Sequence, residues 1–211
     1  MKKLMTIVIL GGLSCLWLLP TASSAAEIRG GLKAGLNLSN IHGADVSEAE
    51  GLLGAPAKYK VGFVGGGFIT FNLSTSIAIQ AEALYSMKGA KASEPGWNIS
   101  ANINYLEIPI LVKFMIPTQG SVKPSLFVGP ALALKMSARY KYEEEGYSEE
   151  GDIEEMKSSD LGLVFGAGLD IGRNIRTDLR YTLGISKVME AGGYTFDVKN
   201  GAFSLMIGYC F

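Results

Sequence analysis

Apolar and polar residues take turns along this chain. Past Glu27 the sequence reads as eight segments of period-two alternation, over residues 28–39, 58–71, 76–88, 102–114, 125–142, 160–171, 175–187 and 202–211. That period places successive side chains on opposite faces of an extended strand. In the third segment Ile77, Ile79, Ala81, Ala83, Tyr85 and Met87 share one face, and Ala78, Gln80, Glu82, Ser86 and Lys88 share the other. The last is as regular, with Phe203, Leu205, Ile207, Tyr209 and Phe211 set against Ser204, Met206, Gly208 and Cys210. Most segments reach the roughly 9–11 residues that a tilted strand needs to cross a bilayer.

Alternation alone leaves two architectures open, because a soluble barrel or sandwich has the same period with its apolar face inward. Volume separates them. The interior of an eight-stranded barrel is just wide enough for side chains to fill it. The face rich in Leu, Ile, Phe, Tyr and Met would overfill that space, whereas the Gly, Ala, Ser and scattered charges opposite would fit. The connections agree. Those after the second and sixth segments are short, at 72–75 and 172–174, and that after the fourth is moderate. The others, at 42–56, 89–100, 143–158 and 188–200, are long. Short turns at one end and long loops at the other mark a transmembrane barrel. Outward aromatics are expected near both interfaces, with Tyr59, Tyr85, Tyr140 and Tyr142 on the loop side and Phe71, Phe114, Tyr209 and Phe211 on the turn side. The expected fold is all-β: an eight-stranded antiparallel transmembrane β-barrel in an up-and-down meander. A soluble periplasmic barrel survives only if the volume argument fails.

The first residues belong to a different pattern. Met1-Lys2-Lys3, an apolar run from Leu4 to Leu19, Pro20 and a small-residue stretch to Ala26 have the layout of a secretory signal peptide. Cleavage after Ala26 leaves a barrel domain over 27–211 and removes Cys15, so Cys210 stands alone and no intrachain disulfide forms. Composition narrows the picture further. With 19 Lys and Arg against 20 Asp and Glu, the chain has no basic excess to hold a phosphate backbone, so nucleic acid is not an expected partner. At 48% hydrophobic residues it is too apolar for disorder.

Several segments resemble a known family, the PorT-like outer-membrane β-barrel domains within the wider group of small OmpA/OmpX-type barrels. The likeness runs through residues 31–39, 80–86, Lys88-Gly89, 105–113 (reading Tyr-Leu-Glu-Ile-Pro-Ile-Leu-Val-Lys) and Phe127-Val128-Gly129-Pro130. It covers nearly all of the mature chain. It implies a cell outer-membrane location in a Gram-negative-type envelope, with both termini periplasmic and outer-membrane lipid around the wall. Phe203, Tyr209 and the terminal Phe211 look like the C-terminal signal read by the outer-membrane assembly machinery. The family implies no single activity, although its namesake is linked to protein export, so an export-complex or surface partner is an open expectation.

Charge inside the barrel is the main candidate chemistry. Glu82, Glu107, Asp160, Asp170 and Asp178 share the narrow lumen with Lys33, Lys60, Lys113, Lys135, Arg139, Arg176 and Arg180. Buried charges have to be paired or hydrated. The expectation is a structural network that plugs the lumen, centred on Lys33, Glu82, Glu107, Lys113, Lys135, Arg139, Asp178 and Arg180. The effects of losing Glu107 and Lys113 are expected to be largest. A gated ion path is the alternative. A third possibility is a lipid-modifying enzyme built on His42, the sole histidine, with Ser39 and Asp45 nearby. No catalytic residue, cofactor or metal site is assigned. The stretch 143–155 carries eight carboxylates, which suits a solvated loop, calcium bridging to anionic lipid A, or a site for a basic partner. Gly65-Gly66-Gly67 lies inside a strand and is read as close packing or a bend.

Overall fold

The computed structural model describes residues 27–53 and 56–211. The expected signal peptide lies outside them. Along the described chain run β1 (Glu27–His42), α1 (Ala44–Leu53), β2 (Lys58–Asn72), β3 (Ile77–Glu94), β4 (Trp97–Met115), β5 (Val122–Glu144), β6 (Tyr147–Asp152), β7 (Ser159–Ile171), β8 (Ile175–Gly184), β9 (Met189–Ala191), β10 (Tyr194–Phe196) and β11 (Lys199–Cys210). Eight of these strands form a hydrogen-bonded ring in the order β1-β2-β3-β4-β5-β7-β8-β11. The ring closes where β11 returns antiparallel to β1, from Gly31 opposite Cys210 to His42 opposite Lys199. No helix among the described residues is long and apolar enough to cross a membrane.

The bulky face looks outward. Leu36, Ile110 and Leu205 are each more than half exposed, while Lys33, Glu82 and Arg180 are buried. On β3 the outward apolar row runs from Ile77 to Met87. That is roughly 33 Å of strand, or about 25 Å of height at the usual tilt, which matches the apolar band of such barrels. On the turn side the chain reverses tightly. The Ser74 hydroxyl accepts the backbone N–H groups of Ser76 and Ile77, and Gly172 opens the β7–β8 turn at φ +63°, where other residues are strained. Within the wall, a Cβ at Gly66 would collide with the carbonyl oxygen of Ala83, so the glycine run permits a close strand approach.

Two long loops expected on the other side are instead strands. β3 and β4 continue to a two-residue turn at Pro95-Gly96, where proline presets φ and Gly96 takes φ +101°. β5 runs on to Glu144 and turns at Glu145-Gly146 into β6, which pairs with it from Arg139 opposite Asp152 to Glu144 opposite Tyr147. The upper parts of β3, β4 and β5, with β6, form a ribbon that rises beyond the apolar belt.

Across that boundary the polarity of the wall inverts. On β4 the outward row is Phe114, Val112, Ile110, Ile108 and Leu106, then Asn104, Asn102, Ser100 and Asn98. The inward row passes from Lys113 and Glu107 to Ile103, Ala101 and Ile99. β5 achieves the same with a bulge. The register shifts between Asn104 opposite Ser137 and Tyr105 opposite Lys135, so one extra residue enters β5 and reverses its alternation. Two expectations fail as a result. Arg139 points away from the lumen, and Tyr140 and Tyr142 stand on the face that continues the lumen lining, where they meet Glu149 and Glu144. Under the ribbon, Val46 of α1 packs with Ile103, Ala138, Met156, Val188 and Val198 into an apolar cap over the lumen.

The inversion predicts two arginine substitutions of opposite consequence. Ile110→Arg should cost about 2–4 kcal/mol of unfolding free energy in phospholipid vesicles, and Asn102→Arg about 1 kcal/mol or less. Equal losses would move the membrane boundary away from Leu106.

Candidate functional site

The lumen holds three clusters of charge. At mid-height, the Lys33 ammonium donates to Glu82 Oε1 at 2.8 Å and to Asp178 Oδ2 at 2.5 Å. The Arg180 guanidinium donates to both Glu82 oxygens, at 2.8 and 3.1 Å, and to Asp178 Oδ2 at 2.9 Å. Gln80 adds a 2.6 Å bond to Glu82. The fork of Arg180 matches a carboxylate in two places at once. Phe68 and Phe127 flank the group, 5.3 Å from the Lys33 nitrogen and 5.2 Å from the Arg180 carbon. These four ions come from β1, β3 and β8; alternation turns them inward, and strand register sets them at one height.

Toward the turn side, Arg176 donates to Thr70 at 2.8 Å, and its Nε lies 3.3 Å from Asp170. Lys113 is buried, 3.8 Å from the same Asp170 oxygen. Toward the loop side, Lys88 donates to Glu107 at 2.5 Å. Asp160 accepts from Ser186 at 2.7 Å and from Asn200 at 2.9 Å, and Asn200 also donates to the Tyr105 hydroxyl. A cavity of about 10 Å³ remains among Lys88, Glu107, Asp160 and Asn200. That is room for about one water, and the unpaired Asn200 Oδ1 suits one. Apolar packing by Leu111, Phe127, Ala131 and Val164 fills the space between the polar clusters.

Lys33, Glu82, Asp178 and Arg180 therefore meet, but Glu107 and Lys113 each face another partner. Lys135 sits half-buried near the rim, bonded to the Met156 carbonyl at 2.5 Å. Arg139 is on the outer face, 3.4 Å from Asp152 with both side chains mostly exposed. Lys88 joins the network as well, although it stands at the end of its alternating segment, beside a stretch whose composition reads as loop. Asn200 and Ser186 carry no charge and gave no signal. Phe203, Tyr209 and Phe211 all face outward, with the Phe203 ring tilted against Tyr181 at 4.5 Å between centroids and Tyr209 6.1 Å from Phe211.

His42 ends β1 and, among the described residues, has no hydrogen-bonded side-chain partner. The Ser39 hydroxyl donates to the carbonyls of Gly89 and Lys60, and Asp45 accepts the Asp197 backbone N–H. Among the described residues no group of three His, Cys, Asp or Glu side chains is placed to hold a metal.

On the ribbon, Tyr147 and Tyr140 donate to the two oxygens of Glu149, each at 2.8 Å. These bonds hold its carboxyl below the usual carboxylate range. Lys141 bonds Glu143 at 2.7 Å, lowering that carboxyl as well. β6 pairs only with β5 among the described strands, so its second edge has no partner.

A family model described as an outer membrane protein beta-barrel domain matches residues 22–190. No curated protein matches the sequence. Among solved structures, the attachment invasion locus protein Ail of Yersinia pestis is 17% identical, over 88% of this chain and 99% of that one, with a TM-score of 0.43. Neisserial surface protein A is 16% identical, over 86% and 97%, at 0.46. Outer membrane protein W of E. coli is 12% identical, over 86% and 98%, at 0.40.

Glu82→Gln removes the charge that Lys33 and Arg180 share. It should destabilise the barrel by about 3–5 kcal/mol in a denaturant titration from vesicles, whereas Arg139→Gln should change stability by under about 1 kcal/mol. Similar values for the two would show that the central quartet is not the stabilising one.

Proposed function

Because the chain belongs to the outer membrane protein β-barrel domain family, and is thus a small barrel of the cell outer membrane, we propose that it acts there without catalysis, as a surface-docking protein that takes an extended basic partner on its protruding ribbon. The observation that carries this reading is the free edge of β6, a row of unpaired backbone groups held beyond the apolar belt. Such an edge can accept another strand, with main-chain bonds for affinity and side chains for selectivity. Glu149, Glu150 and Asp152 lie on it. Their charge deters pairing between identical copies and favours a strand of opposite sign. In this reading the ribbon faces outside the cell and both termini are periplasmic, with Phe211 presented to the assembly machinery. An adhesive role, or the export-associated one implied by the PorT-like resemblance, would use the same face.

A conducting pore is the weaker reading, since the lumen ions are paired across a space filled by Leu111, Phe127 and Val164. A lipid-modifying enzyme lacks support at His42, where neither Ser39 nor Asp45 is free to assist.

A peptide of alternating lysine and valine should bind the refolded barrel saturably in low salt. Affinity should drop at least about five-fold in the triple variant Glu149→Gln, Glu150→Gln, Asp152→Asn, and similarly for a peptide N-methylated along its backbone. Because hydrogen bonds from Tyr147 and Tyr140 depress the Glu149 carboxyl, Glu149 keeps its charge as pH falls through the ordinary carboxylate range. Binding should therefore persist to pH 5 and fade only in stronger acid. Equal affinity for the methylated and plain peptides would sink the strand-addition reading.

A further inference from the structure

At the turn end the lumen opens into a vestibule of about 280 Å³ whose lining includes Arg29, Asn72, Lys123, Asp170 and Arg176. Arg29, Lys123 and Arg176 all stand on the lumen-facing parity of their strands. Charge there is out of balance. Arg176 and the buried Lys113 behind it share one carboxylate, Asp170, at 3.3 and 3.8 Å. Lys113 has no hydrogen bond among the described residues, so Asp170 only partly compensates it. At the rim, Arg29 lies 3.7 Å from Glu27 and also donates to the Arg173 carbonyl. Lys123 has no ion pair among the described residues and is exposed to the opening. Three cations and two carboxylates, Glu27 and Asp170, thus line a concave space with low-dielectric walls, and Lys113 buried behind it adds a fourth positive charge, which concentrates the positive field within it.

The quartet of Lys33, Glu82, Asp178 and Arg180 closes the lumen above. Whatever enters from the turn side stops at Arg176, which is already oriented by Thr70 and by the face of Phe68. The space is many times the volume of the one-water cavity at the loop end. That excludes a polymer but accommodates a small ligand or the end of a chain.

We propose that this vestibule is a binding site for a small oxyanion, a phosphoryl or carboxylate group held between Arg176 at its floor and Lys123 at its rim. The site is independent of the ribbon, at the opposite end of the barrel, so each can fail without the other.

The test is an amide NMR titration of the refolded mature chain in an uncharged detergent. The probes are inorganic phosphate, a dipeptide with a free C-terminal carboxylate, and the same dipeptide as its amide, with chloride at matched ionic strength as reference. Saturable shifts confined to the amides of Asn72, Leu73, Lys123 and Gly172 are expected with phosphate or the free dipeptide, and not with the amide or chloride. Phosphate alone would point to a phosphoryl ligand, and the dipeptide alone to a chain terminus. Arg176→Gln should weaken binding at least about ten-fold. Lys123→Gln, at an exposed position that leaves folding intact, should weaken it about three- to five-fold. Shifts that never saturate, that chloride reproduces, or that survive Lys123→Gln at unchanged affinity would overturn the proposal.

Discussion

The meeting of β1 with β11 is the contact on which everything else in this molecule rests. In hydrocarbon no water is available to satisfy a backbone amide, so an open sheet edge within the membrane costs several kcal/mol for each unpaired group. The chain avoids this by returning its last strand to its first along twelve opposed residue pairs, Gly31 with Cys210 through His42 with Lys199. Closure sets the circumference, and an eight-strand circumference sets a lumen that side chains can fill. Small inward residues and a few long charged ones follow from that volume, and the outer face is left to the solvent that remains, which is lipid.

Closure also explains why the charges are where they are. Ions that would be expensive in a dry interior become tolerable when several strands deliver their partners to the same height. Glu82 accepts from Lys33, Arg180 and Gln80 together, so its lone pairs are occupied as well as its charge balanced. Above the belt the same strands meet water on their outer side, and the rule reverses. Polar residues turn outward, and Val46, Ile103, Met156 and Val198 bury one another as in a soluble protein. One set of strands therefore serves two solvents, with the β5 bulge placed at the change.

Much of this was legible before any coordinates. Strand number, strand order and the lipid-facing side follow from period two, connection length and the volume of side chains, all properties of single residues in sequence. Lys33, Glu82, Asp178 and Arg180 could be assigned to one lumen on the same grounds. Pairing within it could not. Lys88 finds Glu107, and Lys113 finds Asp170, because of strand stagger, which alternation does not encode. Arg139 reads as inward in sequence for a related reason: the extra residue at Met136-Ser137 is invisible until opposite strands are set in register. The extended hairpins at Pro95-Gly96 and Glu145-Gly146 look like loops in sequence because their residues change polarity where the solvent does, and this imitates the end of a strand.

The quartet at mid-barrel also governs how freely this sequence can drift. An outward position such as Leu36 or Ile207 faces disordered acyl chains, which any apolar side chain satisfies, so substitutions there are nearly independent of one another. Glu82 has no such freedom. Its partners lie on two other strands, and Lys33 and Asp178 are 145 positions apart. A change at one obliges compensation at another, far away along the chain and close across the barrel. Divergence in such a protein should accordingly run quickly over the wall and haltingly, in linked steps, through the interior.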